Sequence, residues 1–228
     1  MTSHIDAAEW PDKLAAHVVE DGDGAPPRIH GFDVESDLAQ HYPFVTTVVL
    51  ALTGELPDEA SAAAIDVALR FLTPVSVAAA PAHAAVLSRV AGARTGNIVA
   101  VGALGLCEQA RDRLARHVET LAWLAAGATD APPASACPAG AGDRESVERL
   151  RAALVTTGLV VPALARDVSR EAAVLGVLHA CGLTRPEQLE TVIVFAGLAC
   201  VAAEAFAWAH GRIREYPTNL PRFEHGTP

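Results

Sequence analysis

The stretch from Thr191 to His210, TVIVFAGLACVAAEAFAWAH, runs twenty residues with Glu204 as its only interruption. A segment that long and apolar has two homes, the interior of a helical protein or the hydrocarbon core of a bilayer. The central carboxylate, the many weakly lipophilic alanines and the lack of a second such segment favour a buried core helix. Such a helix needs other helices around it, and the composition supplies them. The 228 residues are 51% hydrophobic, 19% charged and 5% aromatic, with about a fifth alanine. That mix suits helices packed closely through small side chains, so an all-α protein is expected. A chain this apolar buries enough surface to offset its ordering entropy, which excludes wholesale disorder.

Charge narrows the function classes. Seventeen basic against 27 acidic side chains give a net charge of −10, which argues against binding a nucleic-acid backbone. Lys13 is the only lysine and the other sixteen basic residues are arginines. Most Schiff-base and Walker-type phosphate chemistry is therefore ruled out unless Lys13 performs it. The four cysteines, Cys107, Cys137, Cys181 and Cys200, form no CxxC pair, and the first twenty residues lack an apolar signal core. A reduced, cytoplasmic protein without a membrane partner is expected.

Along the chain, an amphipathic helix broken by Pro11 and a turn-rich DGDGAPP precede a short extended piece at 28–32, with a helix start at Asp33 or Ser36. The apolar run 44–52 ends at Thr53-Gly54. Pro57-Asp58-Glu59 then opens a helix with acids in its first turn, whose stripe is Ile65, Ala68, Leu69 and Leu72. Pro74 ends it. Another helix runs from about Pro81 to Val90 and closes at Gly92. The longest is expected from Thr95 to about Ala126, its first half apolar all round, with Gly102 and Gly105 pressed against a neighbour's backbone. Residues 127–142 form a loop. Helices at about 144–157, 169–181 and 186–210 follow, the last with Thr184 as N-cap. The expected organisation is an N-terminal segment 1–27, one helical domain 28–215 with the loop 127–143 as an internal boundary, and an extended tail 216–228.

Familiar catalytic signatures are absent: there is no GxSxG, HExxH, GxxxxGK[ST] or GxGxxG. The histidines are scattered without metal-ligand spacing, so no metal site is expected. His83, among alanines, is the most buried-looking of them and reads as a hydrogen-bonded core residue.

Five stretches carry a resemblance. Ile29–Leu38 (IHGFDVESDL) with VVLALTGELPDEASAAAIDVAL (48–69), PAHAAVLSRVAG (81–92), NIVAVGALGL (97–106) and FAWAHGRIRE (206–215) resemble the citrate synthase family, most of all its short citryl-CoA lyase-like members. The resemblance implies an all-helical citrate synthase-like fold and a homodimer, with core helices meeting across the two-fold axis and the site near the subunit junction. It also implies three histidines and an aspartate for proton transfer next to a thioester, carbonyl polarisation and carboxylate anchoring. The four places fall here on Val75, Ala110, Asp143 and Glu171. A valine cannot transfer a proton, and an ionised carboxylate neither donates to an oxyanion nor attracts a carboxylate substrate. As plain structural residues, Asp143 is a helix cap and Glu171 a first-turn acid.

Two functional expectations follow from the resemblance. One is a repurposed enzyme that makes or breaks a C–C bond in a CoA thioester or small carboxylic acid. Asp143, Glu171 and Glu108 would be its catalytic residues, and His83, Arg111, Arg113 and Arg144 would bind substrate. It requires no cofactor, since the CoA thioester is itself the substrate. The other is a catalytically silent homologue that binds a ligand or a partner subunit.

Overall fold

The computed structural model of the chain describes Val18–Val19 and residues 26–207. The expected opening helix, the DGDG part of the first turn and the tail with its Ala209-His210 pair lie outside the described residues. The chain divides into two compact units, residues 1–58 and 59–228.

In the first unit, β1 (Val18–Val19), β2 (Arg28–Ile29) and β3 (Phe32–Asp33) pair antiparallel in that order, with Val18 opposite Ile29 and Arg28 opposite Asp33. The β2–β3 loop is two residues long and holds both at positive φ, His30 at 47° and Gly31 at 87°. That is the hairpin turn whose twist matches the strands. Asp33 then caps the next element, its carboxylate accepting the N–H groups of Glu35 at 2.9 Å and Ser36 at 2.8 Å. A π-helical turn, Val34–Leu38, leads into α1 (Ala39–His41), and α2 (Phe44–Thr53) follows Pro43. Gly54, left-handed at φ 81°, ends α2 by returning its N–H to the Leu50 carbonyl at 2.8 Å.

The second unit is built from α3 (Glu59–Leu72), α4 (Ala80–Val90), α5 (Thr95–Arg116), α6 (Val118–Ala125), α7 (Ala141–Leu154), α8 (Arg170–Ala180) and α9 (Pro186–Ala207). Helices α4, α5 and α9 pack together around Ala82, Ala85, Val86, Ile98, Leu106, Val201 and Ala205. Missing side chains set their spacing. A Cβ on Gly102 would lie 2.6 Å from Val201 Cγ1, and one on Gly105 would lie 2.9 Å from the backbone Cα of Pro81. Gly197 of α9 admits Leu106 and Val75 in the same way. Helix α8 is buried on every side from Ala172 to Leu178 and contacts α3, α6 and α7. A helix buried all round has no amphipathic stripe for periodicity to find.

Two expectations are corrected. The helix from Thr95 to Ala126 is two helices, because His117 leaves helical geometry at φ −106°, ψ 18°. The cap of α9 is Arg185 rather than Thr184. Pro186 takes the first helical position, and the Arg185 N–H is answered by Gln188 Oε1 at 3.0 Å, half of a capping box. Helix α9 is long and apolar enough to cross a membrane by length and composition. One side of it, with Val192, Ile193, Gly197, Val201 and Ala205, is buried in the unit.

His179, in the last turn of α8, lines an apolar hollow with Leu124, Ala128, Pro162, Ala163 and Gly176. Burial disfavours its cation and holds its pKa below the ordinary 6.5.

Two outcomes are expected. Gly105→Ala gains about 1 kcal/mol of helix propensity, yet it overpacks against a backbone atom at a cost of about 1–3 kcal/mol. Its urea midpoint should fall below that of the parent. Gly96→Ala on the same helix, with nothing within 4 Å of the new methyl, should raise it. The second concerns pH. The unfolded chain binds a proton at His179 that the fold refuses, so this contribution is present above pH 6.5 and lost as pH falls through the folded value. Stability measured by denaturant unfolding from pH 7 to 5 should decline less steeply in His179→Gln; an unchanged slope would remove His179 from the account.

Candidate functional site

Two adjoining cavities of about 90 Å³ each lie among α3, α5, α8 and α9, sharing Leu72, Pro74, Arg113 and Ile193. The first is completed by Phe71, Arg170, Glu171, Val174, Leu175 and Leu178, the second by Val75, Ser76, Ala79, Leu106, Gln109 and Gly197. Each wall follows from local sequence. Pro74 ends α3 and turns its last residues onto the cavity. The apolar body of α8 floors the first chamber, and Ser169, which accepts the Ala172 N–H at 3.2 Å, starts α8 so that Arg170 and Glu171 stand at its rim.

Glu171 is the centre of the polar contacts. One oxygen, Oε2, is 2.9 Å from Nε2 of His117, and the other, Oε1, is 3.2 Å from Nε of Arg113. Four contributions hold its pKa below the ordinary 4.5: the His117 hydrogen bond first, then the electrostatic effects of Arg113, His117 and Arg116, with partial burial opposing them. The carboxylate is therefore ionised at neutral pH, and the Glu171 side chain stays 41% exposed. The Arg113 Nε is buried and out of line with Oε1, so its N–H has no hydrogen-bond partner among the described residues. Arg170 donates to the Phe71 carbonyl, which ties the start of α8 to the end of α3.

His117 is only 5% exposed, and its other nitrogen, Nδ1, meets the Thr120 hydroxyl at 3.1 Å. Thr120 in turn meets Ser135 at 2.9 Å, on the short 3-10 turn Ala134–Ala136. Sequence reasoning passed over His117. Inside an assumed continuous helix it reads as one more residue of a solvated face, and its acidic partner lies 54 positions away.

Of the expected site residues, Glu171 and Arg113 meet in the first cavity, and Val75 lines the second. The rest line neither. Asp143 is a first-turn residue of α7 that accepts the Ala139 N–H at 2.9 Å, rather than the helix cap, which is Gly140, and it does not share a chamber with Glu171. Glu108 and Arg111 pair with each other on the exposed face of α5 at 3.3 Å. Arg144 holds Asp167 through two nitrogens, at 2.9 and 3.1 Å, on the surface. His83 is exposed on α4 rather than buried, because the buried positions of that helix are Pro81, Ala82, Ala85 and Val86. Ala110 is buried in α5 with no exposure. Among the described residues no group of three or more His, Cys, Asp and Glu side chains could hold a metal ion.

No family model matches the sequence, and no curated protein matches it. Among solved structures, the citryl-CoA lyase from Hydrogenobacter thermophilus superposes with a TM-score of 0.68 at 14% identity, covering 96% of each chain. The fold is accordingly all-α and citrate synthase-like.

Proposed function

We propose that the protein is a citrate synthase-like enzyme that makes or breaks a carbon–carbon bond next to the carbonyl of a small carboxylic acid or its CoA thioester. The observation that carries this reading is an ionised Glu171 lining a small chamber with Arg113 and Arg170, Arg113 being paired to it at 3.2 Å. The chamber is far below the roughly 300–1,000 Å³ of sites for drug-sized ligands. It suits the acyl end of a substrate, with any larger carrier outside.

In the bond-forming direction, Glu171 takes a proton from the carbon next to the carbonyl. The C–H bond breaks, an O–H bond forms on the carboxylate, and the electron pair moves to the carbonyl oxygen as an enolate. The carbon then attacks a second carbonyl, whose π pair becomes an alkoxide that takes the proton from Glu171 and so restores the carboxylate. In the cleaving direction the same steps run backwards, and Glu171 returns the proton. Arg113 lines both chambers, and its positive charge favours the developing negative oxygen and attracts an acidic substrate.

A second reading, a silent homologue that binds a ligand without turning it over, draws on Val75. The chamber wall is apolar where the resemblance places a proton-transferring histidine. We also propose a homodimer, because α5 and α9 leave large apolar side chains in solvent: Leu104 at 68%, Phe195 at 42% and Phe206 at 43% exposure.

The catalytic reading is tested by incubating the protein with acyl-CoA thioesters paired with oxo acids, and with hydroxy-dicarboxylic thioesters alone, following thiol release and products by mass spectrometry. Glu171→Gln should lower turnover by about a hundredfold or more, and Arg113→Gln should weaken binding of the acidic partner. Wild-type turnover in Glu171→Gln would refute the assignment. A thermal shift with small carboxylates but no turnover would favour the silent homologue. For the dimer, sedimentation should report two chains for the parent and one for Leu104→Glu; a monomeric parent ends that proposal.

A further inference from the structure

We infer that His117 is the positioning residue of Glu171, and that Thr120 and Ser135 orient it from behind. This deepens the catalytic reading above and rests on Glu171 being its base. The geometry comes from a chain of four side chains, Ser135–Thr120–His117–Glu171, spaced at 2.9, 3.1 and 2.9 Å. Three of its members lie behind the cavity wall, with Thr120 fully buried and His117 nearly so; only Glu171 opens onto the chamber.

The chain has a direction. An ionised carboxylate only accepts, so Nε2 of His117 carries the proton it donates to Oε2. In the neutral ring, Nδ1 then accepts from the Thr120 hydroxyl, whose oxygen accepts from Ser135. Each polar atom finds one partner of the right kind, which fixes both tautomer and ring plane. With Oε2 occupied, Oε1 is the oxygen left to the reaction, and it is the one beside Arg113.

The backbone is built to hold this arrangement. The break between α5 and α6 falls on His117 itself, at φ −106°, ψ 18°, a sparsely populated region where site residues recur. Thr120 is three residues on, in the first turn of α6. The turn carrying Ser135 also accepts the Ser169 N–H on the Ala136 carbonyl at 2.7 Å. Ser169 caps α8 two residues before Glu171, so one short turn holds the histidine chain and the start of the helix bearing the carboxylate.

Among the described residues, the titratable groups around Glu171 are few. Arg113, Arg116 and His117 face it from α5 and its end, and Arg170 stands beside it on α8. The residues that α3 and α9 bring to the chamber, Phe71, Leu72 and Ile193, carry no charge. Removing the Nε2–H bond thus removes the one aligned donor to the carboxylate among the described residues, while the arginines stay.

The test reads Glu171 directly. With glutamate labelled at the side-chain carboxyl carbon, Glu171→Gln identifies the resonance by its loss, and pH titration follows it in the parent, His117→Ala, His117→Gln and Thr120→Val. The midpoint should move to higher pH in His117→Ala, stay near the parent value in His117→Gln, whose amide can still donate, and move upward by a smaller step in the isosteric Thr120→Val. Where turnover is found, kcat in His117→Ala should fall by about tenfold to a hundredfold with KM little changed, and its acid limb should follow the midpoint. Midpoints that coincide with the parent in both His117→Ala and Thr120→Val overturn the inference, as does equal loss of kcat in His117→Ala and His117→Gln with no movement of the resonance. Movement of the midpoint in a protein that turns over no substrate supports the positioning role and counts against the catalytic reading alone.

Discussion

Two helices reach backbone contact only where one of them has no side chain, and this chain meets that condition repeatedly. Gly105 lets α5 lie on Pro81 of α4, Gly102 receives Val201 of α9, and Gly197 receives Leu106 and Val75. Close packing without bulk stabilises through many small dispersion contacts rather than a few large aromatic burials. It also sets how far apart the chamber walls stand. Gly197 and Leu106 line the second chamber, and Leu106 belongs to the core of α4, α5 and α9, so core spacing and cavity spacing are one quantity.

Against that apolar frame, the polar part of the site is small and economical. A single carboxylate draws a histidine from the break after α5 and an arginine from within α5. Burial alone would push the Glu171 carboxyl towards its neutral form; the donor and the cations reverse the sign. The polarity of the chamber is thus a property of contacts between distant segments. It survives only while the helix frame keeps them within hydrogen-bond reach.

This division explains what the residues reveal when read in order. Local punctuation was legible: Asp33 as a start, Gly54, Pro74 and Gly92 as stops, and Gly102 and Gly105 as points of close approach. The all-α architecture was legible too, from alanine content and from helical periods. The break at His117 was not, because Arg116-His117-Val118 contains neither proline nor glycine, and the side-chain partner of His117 lies 54 residues on. Glu171 and Arg113 were found through resemblance and through charge type. Asp143, Glu108, Arg111 and Arg144 carry the same charges yet answer to neighbours on the surface. Charge type alone does not separate a rim residue from a surface pair; three-dimensional placement does.

The two chambers have Leu72, Pro74, Arg113 and Ile193 in common, so the same few side chains bound both. Their separation is therefore cheap to edit. Trimming one aliphatic group would join two small rooms into one long one, and enlarging another would close a room, without moving any helix. A frame locked by glycine contacts thus carries an interior whose length is adjustable residue by residue. Such a scaffold can change which acid it accepts over a few substitutions, while its folding is left to helices that those substitutions never touch.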